Sequence, residues 1–460
     1  MSTLMGNQPP CIALKMTQIH ISLLWIAFVL MPIAGPLQHI GLLILGVAGV
    51  LGLPAFYHQR RLILAHPAVV LWLSWWLLAF LSLLWSPDPK HAVLDGVWGL
   101  LAIPAMAPIL SRPRLWMWPL ACGVAAQTAV QITAWSGLVA TWHIWGGNAN
   151  GGLHSYPPYV GLWAFVGLIM SCALILNMPS RTWRIVAWIL AVIATLSIVL
   201  TVNRSSWVIA IGGLFLLAMR WAWSVHRPRG QWVASAASLL SLLAILIVNF
   251  VQFNMGTKFE LARHNAGVLV VDTSVPPQGQ ASAATTPTTT PQSDRGQGSQ
   301  TQHSPIVSTR RFDTSAGKRI LWWNAGWLLL CDQPVAGHGA GSIRRSLAHL
   351  EAELPSEWGA GVSGFITFNP HASLVATAIE QGGIGVALLL GVALIVAVSS
   401  WRRGRENSAL IGLGPAWIGL LLFSFTHAVL LEPYTSVLVS ILLMASLPAP
   451  APSRAAHPSR

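Results

Sequence analysis

Long apolar runs alternate with short polar breaks over most of this chain. A helix needs roughly 20 apolar residues to cross the hydrocarbon core of a bilayer, and runs of that length recur along the sequence. The pattern therefore predicts an all-α polytopic membrane protein with about twelve transmembrane helices. The predicted spans are residues 19–36, 38–57, 68–86, 92–110, 115–135, 158–177, 184–202, 205–223, 232–251, 372–399, 409–429 and 433–448.

One long polar interval, residues 252–371, separates the ninth predicted span from the tenth. Within it, residues 272–305 are rich in Thr, Pro, Gln and Ser, a composition that cannot bury enough apolar surface to fold, so this tract is predicted to be disordered. Residues 310–371 regain helical periodicity and predict amphipathic helices on the membrane surface. The chain thus divides into spans one to nine (1–251), this loop, and spans ten to twelve with a tail (372–460).

Composition supports a membrane protein, since 54% of the 460 residues are hydrophobic and only 8% are charged. The net charge of +13 could suggest nucleic-acid binding, but its distribution argues against that class. If the N-terminus is cytoplasmic, the basic residues gather in the cytoplasmic loops, as the positive-inside rule requires. They are Arg60, Arg61, Arg112, Arg114, Arg181, Arg184, Arg220, Arg227, Arg229, Arg402, Arg403 and Arg405, with Arg454 and Arg460 in the tail.

This charge pattern predicts that both termini are cytoplasmic and that residues 252–371 face the outer side of the inner membrane. No cleavable signal peptide is expected, because the first apolar run leads directly into the next span. The four cysteines are scattered, so neither a disulfide framework nor a zinc site is predicted.

Arg204 stands at an outer turn, in N-R-S-S-W, against the charge bias of the other loops. An ion at the bilayer centre costs roughly 2.5–3.5 kcal/mol, so an arginine at an external turn between two apolar spans, against the positive-inside bias, needs a reason. Two interpretations are open: a snorkelling arginine that caps the preceding helix, or a guanidinium that binds an anion.

Lys318 and Arg319 precede an aromatic run, and a glycine-rich turn follows it. These cations either belong to an interfacial Trp/Arg belt or hold phosphate oxygens. In the turn, Gly337, Gly339 and Gly341 either form a plain turn or let backbone amides approach an anion.

His371 lies at the outer mouth of the tenth span, in N-P-H-A-S-L, and Glu380 follows roughly two and a half helical turns deeper. The histidine is either an interfacial residue without a role or a group that takes a proton near neutral pH. Glu380 either pairs with an arginine or caps a contact. No metal-ligand set and no Gly-x-Ser-x-Gly elbow is present.

Three motifs and the predicted topology resemble the O-antigen ligase family of bacterial inner-membrane proteins. That family shares a domain with O-antigen polymerases and protein O-oligosaccharyltransferases. The motifs are N-R-S-S-W at 203–207, R-I-L-W-W-N-A-G-W at 319–327 followed by P-V-A-G-H-G-A-G at 334–341, and P-H-A-S-L-V-A-T-A-I-E-Q-G-G-I-G at 370–385. The family commonly has Asn after the histidine, where this chain has Ala372.

The resemblance implies a membrane-embedded glycosyltransferase that moves a glycan from undecaprenyl diphosphate to lipid A–core oligosaccharide in the periplasmic leaflet. The reaction would invert the anomeric carbon and use neither a metal, a nucleotide sugar nor another cofactor. His371 would orient or deprotonate the acceptor hydroxyl. The diphosphate would be held by Arg204, Arg319 and Lys318, with Gly337, Gly339, Gly341 and Glu380 in support.

Three other functions share features with this one. A protein O-oligosaccharyltransferase uses the same donor with a Ser/Thr acceptor, and the 272–305 tract resembles such acceptors. A polymerase would extend the glycan itself. A transporter of lipid-linked sugars would place ionisable groups across the bilayer, whereas here most gather at one face. The sequence assigns no role to Arg310, Arg311, Arg344 or Arg345.

Overall fold

The computed structural model describes residues 11–33, 36–86, 92–110, 112–135, 157–201, 203–224, 315–343, 345–346, 372–425, 427 and 432–448. Over these residues the chain is helical and contains no strand, as the apolar pattern predicts. Helices suit a membrane because they satisfy their own backbone hydrogen bonds where water is absent.

The helices are numbered in chain order. They are α1 (Cys11–Leu30), α2 (Pro36–Leu64), α3 (Pro67–Ser82), α4 (Ala92–Met106), α5 (Arg114–Trp135), α6 (Pro157–Asn177), α7 (Arg181–Leu200), α8 (Arg204–Ser224), α9 (Ser315–Asp332), α10 (Ser373–Glu406), α11 (Leu413–Ser424) and α12 (Pro433–Ser446). Short 3₁₀ turns follow α4 at Ala107–Ile109 and α10 at Ser408–Leu410.

Five helices in the described part of the chain are long and apolar enough to cross a membrane. They are Leu37–Leu64, Pro158–Asn177, Arg181–Leu200, Ser205–Ala222 and Ser373–Glu406. Shorter apolar helices lie at Thr17–Leu30, Pro67–Ser82, Val97–Ile109, Ser408–Ser424 and Pro433–Ser446. The predicted span at 232–251 lies outside the described residues, so the total of about twelve spans stays a prediction.

A tryptophan cluster fixes α3 in the interior of the bundle. The side chains of Trp72, Trp75 and Trp76 are buried. Trp72 stacks on Trp75 with ring centroids 5.1 Å apart, and Trp76 meets both rings edge-on. Trp72 Nε1 also donates a hydrogen bond to Ser440 Oγ in α12, at 3.1 Å. Such aromatic packing holds α3 rigidly, which matters because the C-terminal end of α3 borders the candidate site.

The C-terminal ends of α6, α8 and α10 meet at one end of the bundle. Arg220 of α8 donates from Nη2 to the carbonyl of Trp401 in α10, and its guanidinium lies 4.6 Å from the centre of the Trp401 ring. Asn177, the last residue of α6, donates to the carbonyl of Ser408 just after α10, at 2.6 Å. We call this the basic end, because Arg403 lies there as well.

The N-terminal ends of the same three helices point toward the opposite end, here called the site end. A Cβ atom at Gly161 of α6 would fall on the Ser206 side chain in the first turn of α8. The hydroxyl of Ser373, the first residue of α10, donates to the carbonyl of His427 beyond α11, at 3.1 Å. The starts of α8 and α10 are therefore on the same side of the bundle.

Candidate functional site

A loop with three glycines, residues 334–342, follows α9, and we call it the glycine loop. Gly337, Gly339 and Gly341 have φ angles of 67°, 93° and 82°. Residues with a Cβ atom rarely adopt such angles, so three glycines in this short loop permit a path that other residues would strain.

The glycine loop lies in a break of α10. Gly382 has φ 63° and ψ −161°, which interrupts the helix and leaves carbonyl groups before it without helical partners. Two amides of the glycine loop replace the missing helical donors. His338 N donates to the carbonyl of Ile379 at 2.8 Å, and Gly339 N donates to the carbonyl of Glu380 at 2.9 Å.

The loop also accepts hydrogen bonds from the far side of the break. Gly383 N donates to the carbonyl of Pro334 at 2.7 Å, and Ile384 N donates to the carbonyl of Val335 at 3.3 Å. Together, the four bonds form a short ladder that fixes the loop and the broken helix as one unit.

Glu380 adds a side-chain bond to this ladder. Its side chain is only 3% exposed, and Oε1 accepts from Gly341 N at 2.9 Å. No cation among the described residues forms an ion pair with it. A buried carboxyl group without a charged partner is costly, so its hydrogen bond to the loop is a strong structural constraint.

The C-terminal end of α3 holds the loop from the other side. Ser82 Oγ accepts from Ala340 N at 2.9 Å, and Ser86 Oγ donates to the carbonyl of Ala340 at 2.7 Å. Trp85 Nε1 donates to the carbonyl of Gly337 at 3.2 Å. The loop is thus held between α3 and α10.

Every backbone amide from Gly337 to Ser342 donates to an acceptor inside the protein. Besides the bonds above, Gly337 N donates to the carbonyl of Gln333 and Ser342 N to the carbonyl of Gly339, both at 3.2 Å. In this conformation the amides stabilise the glycine loop, and an anion could accept hydrogen bonds from them only by breaking these internal bonds.

Helix α9 packs on the first turns of α10. A Cβ atom at Gly326 would overlap Cγ1 of Val375, so beside this valine only a residue without a side chain fits. Ala325 and Leu329 are buried on the same side, whereas Trp327 is exposed. Since α9 continues into the glycine loop at the break of α10, the two helices run in the same direction.

Lys318 and Arg319 belong to α9, but their side chains lie outside the described residues. Arg204 is the first residue of α8, and its side chain is likewise not described. The start of α8 is capped by Asn203, whose Oδ1 accepts from Ser205 N at 3.1 Å.

His371 lies outside the described residues, but its neighbours are placed. Ala372 is buried, and Ser373 bonds to the carbonyl of His427. The His427 side chain is 3% exposed, with its ring centre 4.4 Å from that of Phe423. Sequence reasoning missed His427, although an ionisable residue inside the apolar run 409–429 is a signal for function.

Several buried polar atoms beside Glu380 have no hydrogen-bond partner among the described residues. They are Thr377 Oγ1, Ser342 Oγ and both amide atoms of Gln381. Buried polar atoms are nearly always bonded, so these four atoms require partners other than the described residues.

Of the predicted site residues, the structure brings Gly337, Gly339, Gly341 and Glu380 together in one hydrogen-bonded unit. For Arg204, Lys318 and Arg319 it places the backbone only, and their roles stay predictions. The proposed role of His371 also stays a prediction.

Comparison with known proteins bears on all of these residues. A family model described as O-antigen ligase matches residues 189–390, a range that contains every predicted site residue. Its domain indicates the group of O-antigen ligases, polymerases and oligosaccharyltransferases, whose members are glycosyl-transferring enzymes. A search of curated proteins found no match. With its five membrane-capable helices, the chain is a membrane-embedded protein, and its residues 189–390 match the O-antigen ligase family model, which supports that family.

Proposed function

We propose that this protein transfers a glycan from undecaprenyl diphosphate to lipid A–core oligosaccharide at the periplasmic face of the bacterial inner membrane. This is the O-antigen ligase reaction within lipopolysaccharide biosynthesis. Neither a metal ion nor a nucleotide sugar takes part. The family match supports glycosyl transfer, and the arrangement of α9 and α10 supports the choice of reacting residues.

The observation that carries the proposal is the parallel packing of α9 on α10. Arg319 lies seven residues before Gly326, which is about 10.5 Å along the helix. Ser373, the first residue of α10, follows His371 by two residues in the sequence. Because Gly326 faces Val375 and the two helices run in the same direction, we infer that positions 319 and 371 lie toward the same end.

A third helix contributes from the same end of the bundle. Arg204 is the first residue of α8, and Ser373, two residues after His371, is the first residue of α10. Cations from α8 and α9 and a histidine at the start of α10 therefore suit a single site at the membrane surface. This supports catalysis at one face over a polar path across the bilayer.

The proposed chemistry is a single displacement. The acceptor hydroxyl oxygen attacks the anomeric carbon of the glycan, the bond from that carbon to the diphosphate oxygen breaks, and the configuration inverts. His371 takes the hydroxyl proton. Arg204, Arg319 and Lys318 stabilise the negative charge that develops on the departing undecaprenyl diphosphate.

Transfer by the purified protein tests this proposal, with undecaprenyl-diphosphate glycan, lipid A–core and a chelator present. Loss of a general base lowers rates by roughly 10²–10⁴-fold, and we expect such a loss in His371→Ala. Removal of a charge-stabilising group costs roughly 10²–10³-fold, expected for Arg319→Ala and Arg204→Ala. His39→Ala removes an exposed histidine whose ring contacts Tyr434, and Arg60→Ala removes a half-buried arginine that donates to the carbonyl of Tyr57 in its own helix, so both should transfer normally.

Full activity in His371→Ala would rule out its catalytic role. Glycan on a pilin-like protein instead of lipid A–core would make the chain a protein O-oligosaccharyltransferase. Longer glycan on the donor lipid would indicate a polymerase. An absence of any transfer would favour a transporter of lipid-linked sugars.

A further inference from the structure

We propose that Glu380 is a positioning residue that holds the glycine loop in the break of α10. By doing so, it sets the position of α9, which carries Lys318 and Arg319, relative to the start of α10 beside His371. The inference rests on the proposed function for its catalytic consequence, whereas the mechanical link between the helices can be tested without it.

Glu380 binds the loop through two of its own atoms. Its backbone carbonyl accepts from Gly339 N, and its side-chain Oε1 accepts from Gly341 N, both at 2.9 Å. The side chain lies in the interior of a bundle where an apolar residue would avoid the cost of burying a carboxyl group. The hydrogen bond from Gly341 N explains why a glutamate occupies this buried position.

The loop is firmly joined to the last turn of α9. Gln333 follows Asp332 directly, and its carbonyl accepts from Gly337 N. His338 folds back so that Nε2 lies 3.1 Å from the carbonyl oxygen of Leu329 and 3.7 Å from a carboxylate oxygen of Asp332. A shift of the loop therefore moves the C-terminal end of α9.

A shift at the C-terminal end of α9 would also move Lys318 and Arg319 near its N-terminal end. The contact between Gly326 and Val375 lies between the loop and Arg319, so α9 rests on α10 at this point. With the loop held, α9 has one orientation on α10. With the loop released, α9 can separate from α10 at this contact, and Arg319, about 10.5 Å beyond it, moves away from the reacting groups. Misplacement by about 1 Å can cost roughly 10²-fold in rate.

The essential feature is an oxygen that accepts the Gly341 amide, rather than a negative charge. Glu380→Gln keeps an acceptor oxygen of nearly the same shape, while Glu380→Ala removes it. The matched control is Glu406→Ala, at the other end of the same helix, where the carboxylate is 64% exposed and pairs with Arg403.

Disulfide formation between α9 and α10 measures the link directly. A Cβ atom added at Gly326 would lie 3.6 Å from the Cβ of Val375, within the range of about 3.5–4.5 Å found in disulfides. The test variant carries Gly326→Cys and Val375→Cys, together with Cys331→Ser to remove an exposed native thiol. Its two new cysteines should cross-link rapidly in membranes under a mild oxidant. Adding Glu380→Ala should slow this about tenfold, as expected for the loss of a buried acceptor, whereas Glu380→Gln and Glu406→Ala should not.

Transfer assays on the single variants, with native cysteines, then test the catalytic consequence. Glu380→Ala should lower the transfer rate at least about tenfold, and Glu380→Gln should restore it. Unchanged cross-linking in Glu380→Ala would overturn the proposal. So would transfer that stays normal while cross-linking slows, or a Glu380→Gln variant as defective as Glu380→Ala. If the parent protein transfers no glycan, the proposed function is wrong. The cross-linking rates then test by themselves whether Glu380 positions α9 on α10.

Discussion

At the scale of single residues, the candidate site depends on positions where the backbone itself takes part. Gly337 and Gly382 face each other where the loop enters the break of α10, and each has a positive φ. A Cβ atom at Gly337 would lie 2.5 Å from the Gly382 amide nitrogen, and one at Gly382 would lie 2.5 Å from the Val335 carbonyl oxygen. Glycine is required here by both the backbone angle and the available space.

Gly337→Ala should therefore destabilise the protein. The strained backbone angle alone costs about 1–3 kcal/mol, and the overlap with the α10 backbone adds to that. We expect a melting temperature several degrees lower in detergent. Gly212→Ala is the control, because nothing lies within 4 Å of its added Cβ and alanine favours a helix. Equal melting temperatures for Gly337→Ala and the parent would contradict the tight fit of the loop.

At the scale of helices, the contacts between α3 and α10 align the scaffold of the site. At the site end, the last residues of α3 hold the glycine loop in the break of α10. At the basic end, His66, just before α3, lies 3.3 Å from Ser399 Oγ of α10 through its Nε2. The two helices are thus joined near both ends, which restricts their sliding past each other.

Stability should depend on pH through His66. Burial lowers the pKa of His66 from its ordinary value, since desolvation penalises the charged ring. The unfolded chain then binds the proton more readily than the folded one, so stability is full above pH of about 6.5 and falls as the pH drops through the lowered folded pKa. Melting temperatures between pH 7.5 and pH 5 should show this loss, and it should be smaller in His66→Gln, which cannot titrate. An equal pH response in the two proteins would show that other groups cause it.

At the scale of the whole molecule, the basic end and the glycine loop lie at different positions along the bundle. Arg220 and Arg403 lie at the basic end, whereas the starts of α8 and α10 and the glycine loop lie away from it. Positive loops face the cytoplasm in most inner-membrane proteins, so this separation supports a site on the periplasmic side.

Labelling of cysteines from outside the cell tests that orientation. Cys331, near the end of α9, is exposed. A membrane-impermeant maleimide should label it in intact spheroplasts, and Cys331→Ser should remove this label. In the Cys331→Ser background, Arg405→Cys at the basic end should react only after the membrane is permeabilised. The reverse pattern would place the site in the cytoplasm and contradict a periplasmic transfer reaction.

The sequence by itself determined the helical class, the membrane setting and the segments from which the candidate site is built. Apolar runs and positive loops are local sequence features that determine how a segment partitions between water and lipid. They can therefore be recognised without knowledge of the tertiary structure. Gly337, Gly339, Gly341 and Glu380 could be singled out as unusual in the same way, and the family match covers the stretch that holds them.

Only the tertiary structure decided what these residues do to each other. The sequence left two interpretations open for each: the glycines formed a plain turn or let amides approach an anion, and Glu380 paired with an arginine or capped a contact. In the fold, the amides bond to α3, to α10 and within the loop, and Glu380 accepts one of them. His427 became visible as a neighbour of the start of α10 for the same reason. Hydrogen bonds between residues distant in the chain depend on how the helices pack, and a local sequence pattern does not contain that information.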